Sequence, residues 1–199
     1  MAVETAVVIE TFRRNYPDSP APQVYQAPGR VNMIGEHTDY NLGFVLPIAI
    51  QFVCHAAAAP ASDGMLRVYS SNAGEERSWP VDALRDLRPS GDWPDYVAGV
   101  ARELVLAGVS VHPQRLAIHS DVPLGAGLSS SAAIEVSSAL ALLAGREIPP
   151  AELAQLCRRA ENQFVGMPCG IMDQYVSVFG EAGAAIEIDC RAISHRCVR

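Results

Sequence analysis

The sequence contains no lysine: all 15 of its basic residues are arginine. Compositional bias accounts for the absence, but the chemical exclusion holds whatever its origin. A Walker A loop places Lys on the phosphates, a protein kinase needs its strand Lys, and Schiff-base enzymes need an amine. Positive charge is scarce as well. Against 22 Asp and Glu the net charge is −7, and the basic footprint of a nucleic-acid binder is missing. An anionic ligand must therefore be held locally, by backbone N–H groups, by Arg or by a metal. The five cysteines are odd in number and contain no C-x-x-C pair, which argues against a disulfide framework or a cysteine zinc site. No long apolar run exists. The stretch from Phe44 to Ala59 is broken by Pro47, Gln51 and His55, too short and interrupted to span a bilayer. The first residues carry no basic region of the secretory kind, so no membrane association and a cytoplasmic location are expected.

What is present is a chain of 199 residues, 49% hydrophobic, enough for a real core and for one domain with part of another. Val3 to Asn15 reads as a helix, and Ala27-Pro28-Gly29-Arg30 as a turn. Phe44 to Ala58 and Leu66 to Ser70 read as strands, with Asp63-Gly64 as a hairpin-like connection. A helix is expected to start near Asp92-Trp93-Pro94, and a strand over Leu116 to Val122. Ser129 to Leu143 is a helix with few charges, which predicts burial on most sides. Pro150 to Val165 is another helix, and Ala184 to Asp189 a strand. Strands first and helices later predict an α+β fold.

Three segments carry chemistry. From Gly29 to Asn41, Arg30, Glu36, His37 and Asp39 crowd between glycines ahead of a hydrophobic strand. Carboxylates accept and Arg, His and Asn donate, so such a loop can pair with sugar hydroxyls, which do both. A solvated polar connection remains open on residue types alone. The second segment, Gly125-Ala126-Gly127-Leu128-Ser129-Ser130-Ser131, follows a strand and opens a helix. Glycines admit a phosphate close to the backbone, the helix N-terminus offers free N–H groups, and a serine hydroxyl can ligate Mg²⁺. An ordinary Ser-capped helix is the alternative. In the third, Glu161 falls near the end of its helix, where the dipole disfavours an acid. Asp173 follows a Gly-Met-Pro-Cys-Gly turn amid apolar neighbours and is either a helix cap or a functional carboxylate.

Taken together these segments resemble the galactokinases. Gly29 to Pro47 is similar to the galactokinase signature almost letter for letter. Pro123 to Ala133 resembles the phosphate loop of the GHMP small-molecule kinases, and Gly166 to Gln174 the galactokinase segment that bears the proposed base. The resemblance implies an α+β GHMP-kinase N-terminal domain, of the kind related to a ribosomal-protein S5 domain. Residues 1–180 would form it, and 181–199 would begin an incomplete C-terminal α/β domain. It further implies ATP-dependent phosphorylation of galactose at the anomeric hydroxyl, with ATP and Mg²⁺ as cofactors. By resemblance, Arg30, Glu36, His37, Asp39 and Gly170 line the sugar, and Asp173 is the base beside the Arg30 guanidinium. Ser131 and Glu161 match Mg²⁺ ligands, Gly125 to Ser131 the triphosphate loop, and Trp93 and Tyr96 the region near the adenine.

Family members are considerably longer and carry a further Gly-rich motif and a second α/β domain. The expectation is a fragment that packs against a missing C-terminal half and turns over little by itself. N-acetylgalactosamine as substrate, and a silent sugar sensor, stay open as alternatives. An RNA-binding role is disfavoured by the charge.

Overall fold

The computed structural model describes residues 3–199. Helix α1 (Val3–Asn15) is followed by β1 (Gln23–Asn32), β2 (Phe44–Val45) and the long β3 (Pro47–Pro60). Strands β4 (Met65–Ser70) and β5 (Glu75–Pro80) lead through a 3₁₀ turn to α2 (Asp95–Leu106) and β6 (Gln114–Ser120). Then come α3 (Ser130–Leu143), α4 (Pro150–Arg159), a π-helical segment (Ala160–Val165), α5 (Met172–Phe179), β7 (Ala185–Asp189) and β8 (Ser194–Val198).

The strands form one mixed sheet in the order β2-β7-β3-β6-β4-β5, with β1 on the other side of β3 and β8 beyond β7. All pairings are antiparallel except β4 with β6. The alanine run in β3 explains how helices cover both faces. Successive side chains on a strand point to opposite faces. Cys54, Ala56 and Ala58 join the main core with α2 and α3, whereas Ala57 and Ala59 pack with Val8 and Phe12 of α1. Small side chains on both faces let helices approach from both sides. Residues 181–199, expected to open a further α/β unit, supply β7 and β8, and both pair into this sheet. Ile186 and Ile188 of β7 pack with Tyr175 and Val176 of α5.

Three local expectations differ from the fold. Asp63-Gly64 does not close a hairpin, because β6 lies between β3 and β4; β4 turns back on β5 instead. Ala27 to Arg30 is not a turn but part of β1, which runs through with a register shift between Pro28 and Arg30. Proline lacks an N–H for the ladder, so the irregularity falls where no bond can be made. The helix expected to reach Val165 is α-helical only to Arg159 and widens to a π-helix over Ala160–Val165. No helix among the described residues is long and apolar enough to cross a membrane.

Candidate active site

The bulge in β1 is where the site begins. A Cβ on Gly29 would lie 2.6 Å from the carbonyl oxygen of Leu128, so only glycine lets β1 lie this close to the Gly-rich loop. The two segments are stitched there. The Arg30 amide donates to the Leu128 carbonyl at 3.1 Å, and its Nη1 donates to the Gly127 carbonyl at 2.7 Å. The rest of the guanidinium turns to Asp173: Nε donates to Oδ1 at 2.8 Å, and Nη2 lies 2.6 Å from the same oxygen. The second oxygen, Oδ2, accepts the hydroxyl of Ser129 at 2.5 Å. Asp173, Arg30 and the end of the Gly-rich loop, 143 and 44 residues apart in sequence, thus form one constellation.

The loop itself holds Gly125 and Gly127 at positive φ, with open space where their Cβ atoms would stand. Ser129 is in the left-handed region at φ 58°, a conformation a non-glycine residue holds only when its surroundings dictate it. Its side chain does not cap α3. The sequence left open a Ser-capped helix, but the hydroxyl at the cap position is directed at Asp173, and the first N–H groups of α3 have no side-chain cap.

Asp173 is held in place from behind. It lies in the first turn of α5, and Asp39 anchors that turn by accepting the amides of Ile171 at 2.8 Å and Met172 at 3.2 Å. Gly170 is required here, since a Cβ would fall 2.0 Å from the Asp39 carboxyl carbon. Burial pushes the Asp39 carboxyl above its ordinary value, and the two amides work against that shift. Glu36 and His37 sit in the same loop but are exposed, with the His37 ring against the Tyr40 hydroxyl. Thr38 closes the loop by donating to the carbonyls of Gly35 at 2.7 Å and Phe44 at 2.6 Å.

Deeper lies a group of carboxylates. Glu161, on the π-helical segment, is 7% exposed, and Ser131 lies beside it. Burial raises its carboxyl, whereas hydrogen bonds from Ser131, Cys169 and Gln174 lower it. A hydroxyl and a carboxylate are hard oxygen donors of the kind Mg²⁺ takes, and Mg²⁺ is ordinarily held by one or two carboxylates together with phosphates. The residues fit that group. Among the described residues no cluster of three His, Cys, Asp or Glu side chains would hold a metal by protein alone. Trp93 donates its indole N–H to Glu75 at 2.6 Å and lines a cavity of about 140 Å³ with Val122, Leu124 and Ile134. Tyr96 lies apart from that cavity; burial and then the charges of Glu161 and Glu135 raise its phenol.

Sequence reasoning missed Glu135 and Gln174. Glu135 is fully buried, and Gln174 donates to it at 3.0 Å and to Glu161 at 2.6 Å. One signal was available: Glu135 is the only charge in the fourteen residues of α3.

A phosphate-type loop opening a long helix, with a carboxylate and a guanidinium at its end, places the chain among the GHMP kinases. The family model of the GHMP kinases N terminal domain matches residues 95–181, and that of the galactokinase galactose-binding signature matches residues 10–60. The chain is 44% identical over 198 residues to a galactokinase of Roseiflexus sp. and 46% identical over 192 residues to one of Streptomyces coelicolor. These alignments take in 98% and 94% of this chain but 50% and 49% of those relatives, so the chain spans about half the length of the curated relatives it matches. A crystal structure of Lactococcus lactis galactokinase complexed with galactose superposes with a TM-score of 0.90 at 33% identity, over 99% of this chain and 52% of that one. Methanococcus jannaschii mevalonate kinase, at 18% identity and a TM-score of 0.76 over 89% of this chain and 56% of its own, shares the fold. The chain belongs to the galactokinase family.

Proposed function

We propose that this chain carries the sugar site and phosphate loop of an ATP-dependent galactokinase, which transfers the γ-phosphoryl group to the anomeric oxygen of galactose and yields galactose 1-phosphate. The observation that carries the reading is Asp173, held between Arg30 and Ser129 at the end of the Gly-rich loop. In this reading the galactose O1 hydroxyl gives its proton to Asp173 as O1 bonds to the γ-phosphorus and ADP leaves. Arg30 offsets the charge that develops on the transferring group. Gly125, Ala126, Gly127 and Leu128, with Ser129, Ser130 and Ser131, present backbone N–H groups and hydroxyls to the triphosphate, a role that needs no lysine. Mg²⁺, held by Ser131 and Glu161, would neutralise phosphate charge when bound. Arg30, Glu36, His37 and Asp39 would pair with the sugar hydroxyls, with Gly170 leaving room beside them. The apolar walls of the Trp93 cavity, Leu124 among them, suit the adenine, with Tyr96 following at the start of α2.

Catalysis of this kind rests on positioning and electrostatics. A cytoplasmic setting agrees with five free cysteines, three of them buried. An ADP-release assay over a panel of sugars tests the reading. Galactose should be preferred, and equal or better use of N-acetylgalactosamine would reassign the substrate. ATP and sugar binding without turnover in a chain of full family length would mark a sensor.

A further inference from the structure

A buried amide that meets two carboxyl groups at once is an expensive arrangement in a core, and its place next to Asp173 suggests a purpose. Gln174 is wholly buried on α5, immediately after Asp173. Its Nε2 donates to Glu161 at 2.6 Å and to Glu135 at 3.0 Å. Both neighbours present oxygen, so the nitrogen end of the amide must face them. The Gln174 Oε1, the remaining Glu135 oxygen and the Ser138 hydroxyl are buried without a hydrogen-bond partner. An apolar side chain would fill this space without orphaned polar atoms, so packing alone does not explain the group. Glu135 stands on the helix that the Gly-rich loop opens, and Glu161 on the π-helical segment. Gln174 therefore ties three elements at one point.

We propose that Gln174 is a positioning residue, which sets the Glu161 carboxylate beside Ser131 and couples it to the helix carrying Asp173, with Glu135 as its rear anchor. The proposal rests on the reading of Ser131 and Glu161 as a divalent-metal site. With both amide hydrogens placed, the Glu161 carboxylate cannot rotate freely, and a metal ligand that is pre-oriented binds more tightly. The Asn162 side chain restrains the same region: its amide donates to the Cys169 carbonyl at 3.1 Å, and its oxygen accepts the Cys169 amide at 2.7 Å.

The test is binding, not turnover. ATP affinity of this chain, continued by the remaining half of a galactokinase relative, is measured by calorimetry with EDTA and with Mn²⁺, and galactose affinity is measured alongside. Wild type should gain at least tenfold from Mn²⁺. Gln174→Met, close in shape but without donors, should lose most of that gain. Its affinities for ATP in EDTA and for galactose should stay within about twofold. Glu135→Gln retains an acceptor for the amide and should keep the gain. A Gln174→Met chain with the wild-type gain overturns the proposal. No Mn²⁺ gain in wild type overturns the metal-site reading itself, and the proposal with it. Should Gln174→Met fail to fold, the wild-type side-chain amide signals of Gln174 decide by NMR. Slow hydrogen exchange and a shift on adding Mg²⁺ and ATP are expected; rapid exchange with no shift contradicts the role.

Discussion

A carboxylate that takes a proton from a hydroxyl has to be aimed, and at Asp173 each oxygen has its own restraint: Arg30 on one, Ser129 on the other. The account assigns the proton to Asp173 and little of the binding energy. In a chain of full family length, Asp173→Asn should leave galactose affinity within a few fold and lower turnover by ~10²–10⁴, the usual contribution of a positioned base. Steady-state rates with calorimetric sugar affinities check this; unchanged turnover would remove Asp173 from the chemistry. Glu135 gives a stability signature. Burial first, then the nearby Glu161 and Asp173 charges, raise its carboxyl well above the ordinary value, and the Gln174 bond lowers it only in part. A carboxyl raised on folding binds protons more tightly in the folded state, so stability falls as pH rises above about 4.5, the unfolded value, towards the folded one. Glu135→Gln removes this loss. Urea melts from pH 4 to 8 should show a flatter profile than wild type, with the variant gaining most at the alkaline end. Parallel profiles would show that Glu135 ionises as freely as an exposed acid. At this scale the meeting of Arg30 with Asp173 and of Ser131 with Glu161 was legible, because long motifs carried these residues. The Ser129 bond to Asp173 and the Gln174 bridge were not legible, since each depends on contacts between residues far apart in the chain.

Elements became legible where periodicity was strong and failed where pairing partners decide. Helices α1 and α3 begin and end within a residue of expectation, α2 begins just after the Asp92-Trp93-Pro94 start signal, and β6 and β7 fall within two residues of expectation. The Pro28-Gly29 pair carries the same local signal for a turn and for a strand irregularity. Only the approach of the Leu128 carbonyl distinguishes them. The hairpin expected at Asp63-Gly64 failed because β6, some fifty residues later, inserts beside β4 in parallel. The π-helical turn under Glu161 had no local signal either. The junction of the Gly29–Asn41 loop with α5 yields a prediction at this scale. Gly170→Ala would drive a methyl group into the Asp39 carboxylate and break the anchor of α5, costing roughly 1–3 kcal/mol in chemical denaturation. In an Asp39→Ala background the obstruction is gone, and the same substitution should cost much less. Equal costs in both backgrounds would mean that Asp39 does not set the position of α5. In the Gly-rich loop, Ser131→Ala should weaken metal-dependent nucleotide binding with galactose affinity kept. Gly127→Val should weaken nucleotide binding further, since φ +70° strains any branched residue. Unchanged nucleotide affinity in both would reduce the loop to the start of a helix.

Over the whole molecule, exposed apolar side chains gather on the loop beside the site. Met33, Ile34, Tyr40, Leu42 and Phe44 are each more than half exposed, the extreme being Ile34 at 64%. Such a patch marks a surface made to be covered, and the relatives are about twice as long as the matched segment. The 199 residues alone are therefore expected to associate in solution and to turn over galactose slowly. Poor positioning in an open cleft alone can cost several orders of magnitude. Light scattering with and without mild detergent tests the first expectation, and a monodisperse monomer would contradict it. The central claim, that Arg30, Asp173 and the Gly-rich loop transfer phosphate to the anomeric oxygen of galactose, has a more direct test. These residues, continued by the remaining half of a relative such as the Roseiflexus galactokinase, are supplied with galactose and MgATP and followed by ³¹P NMR. The account predicts a phosphate ester on the anomeric oxygen, absent when Asp173 is replaced by Asn. An ester on another hydroxyl, or the same product formed at the same rate without the Asp173 carboxylate, would contradict it.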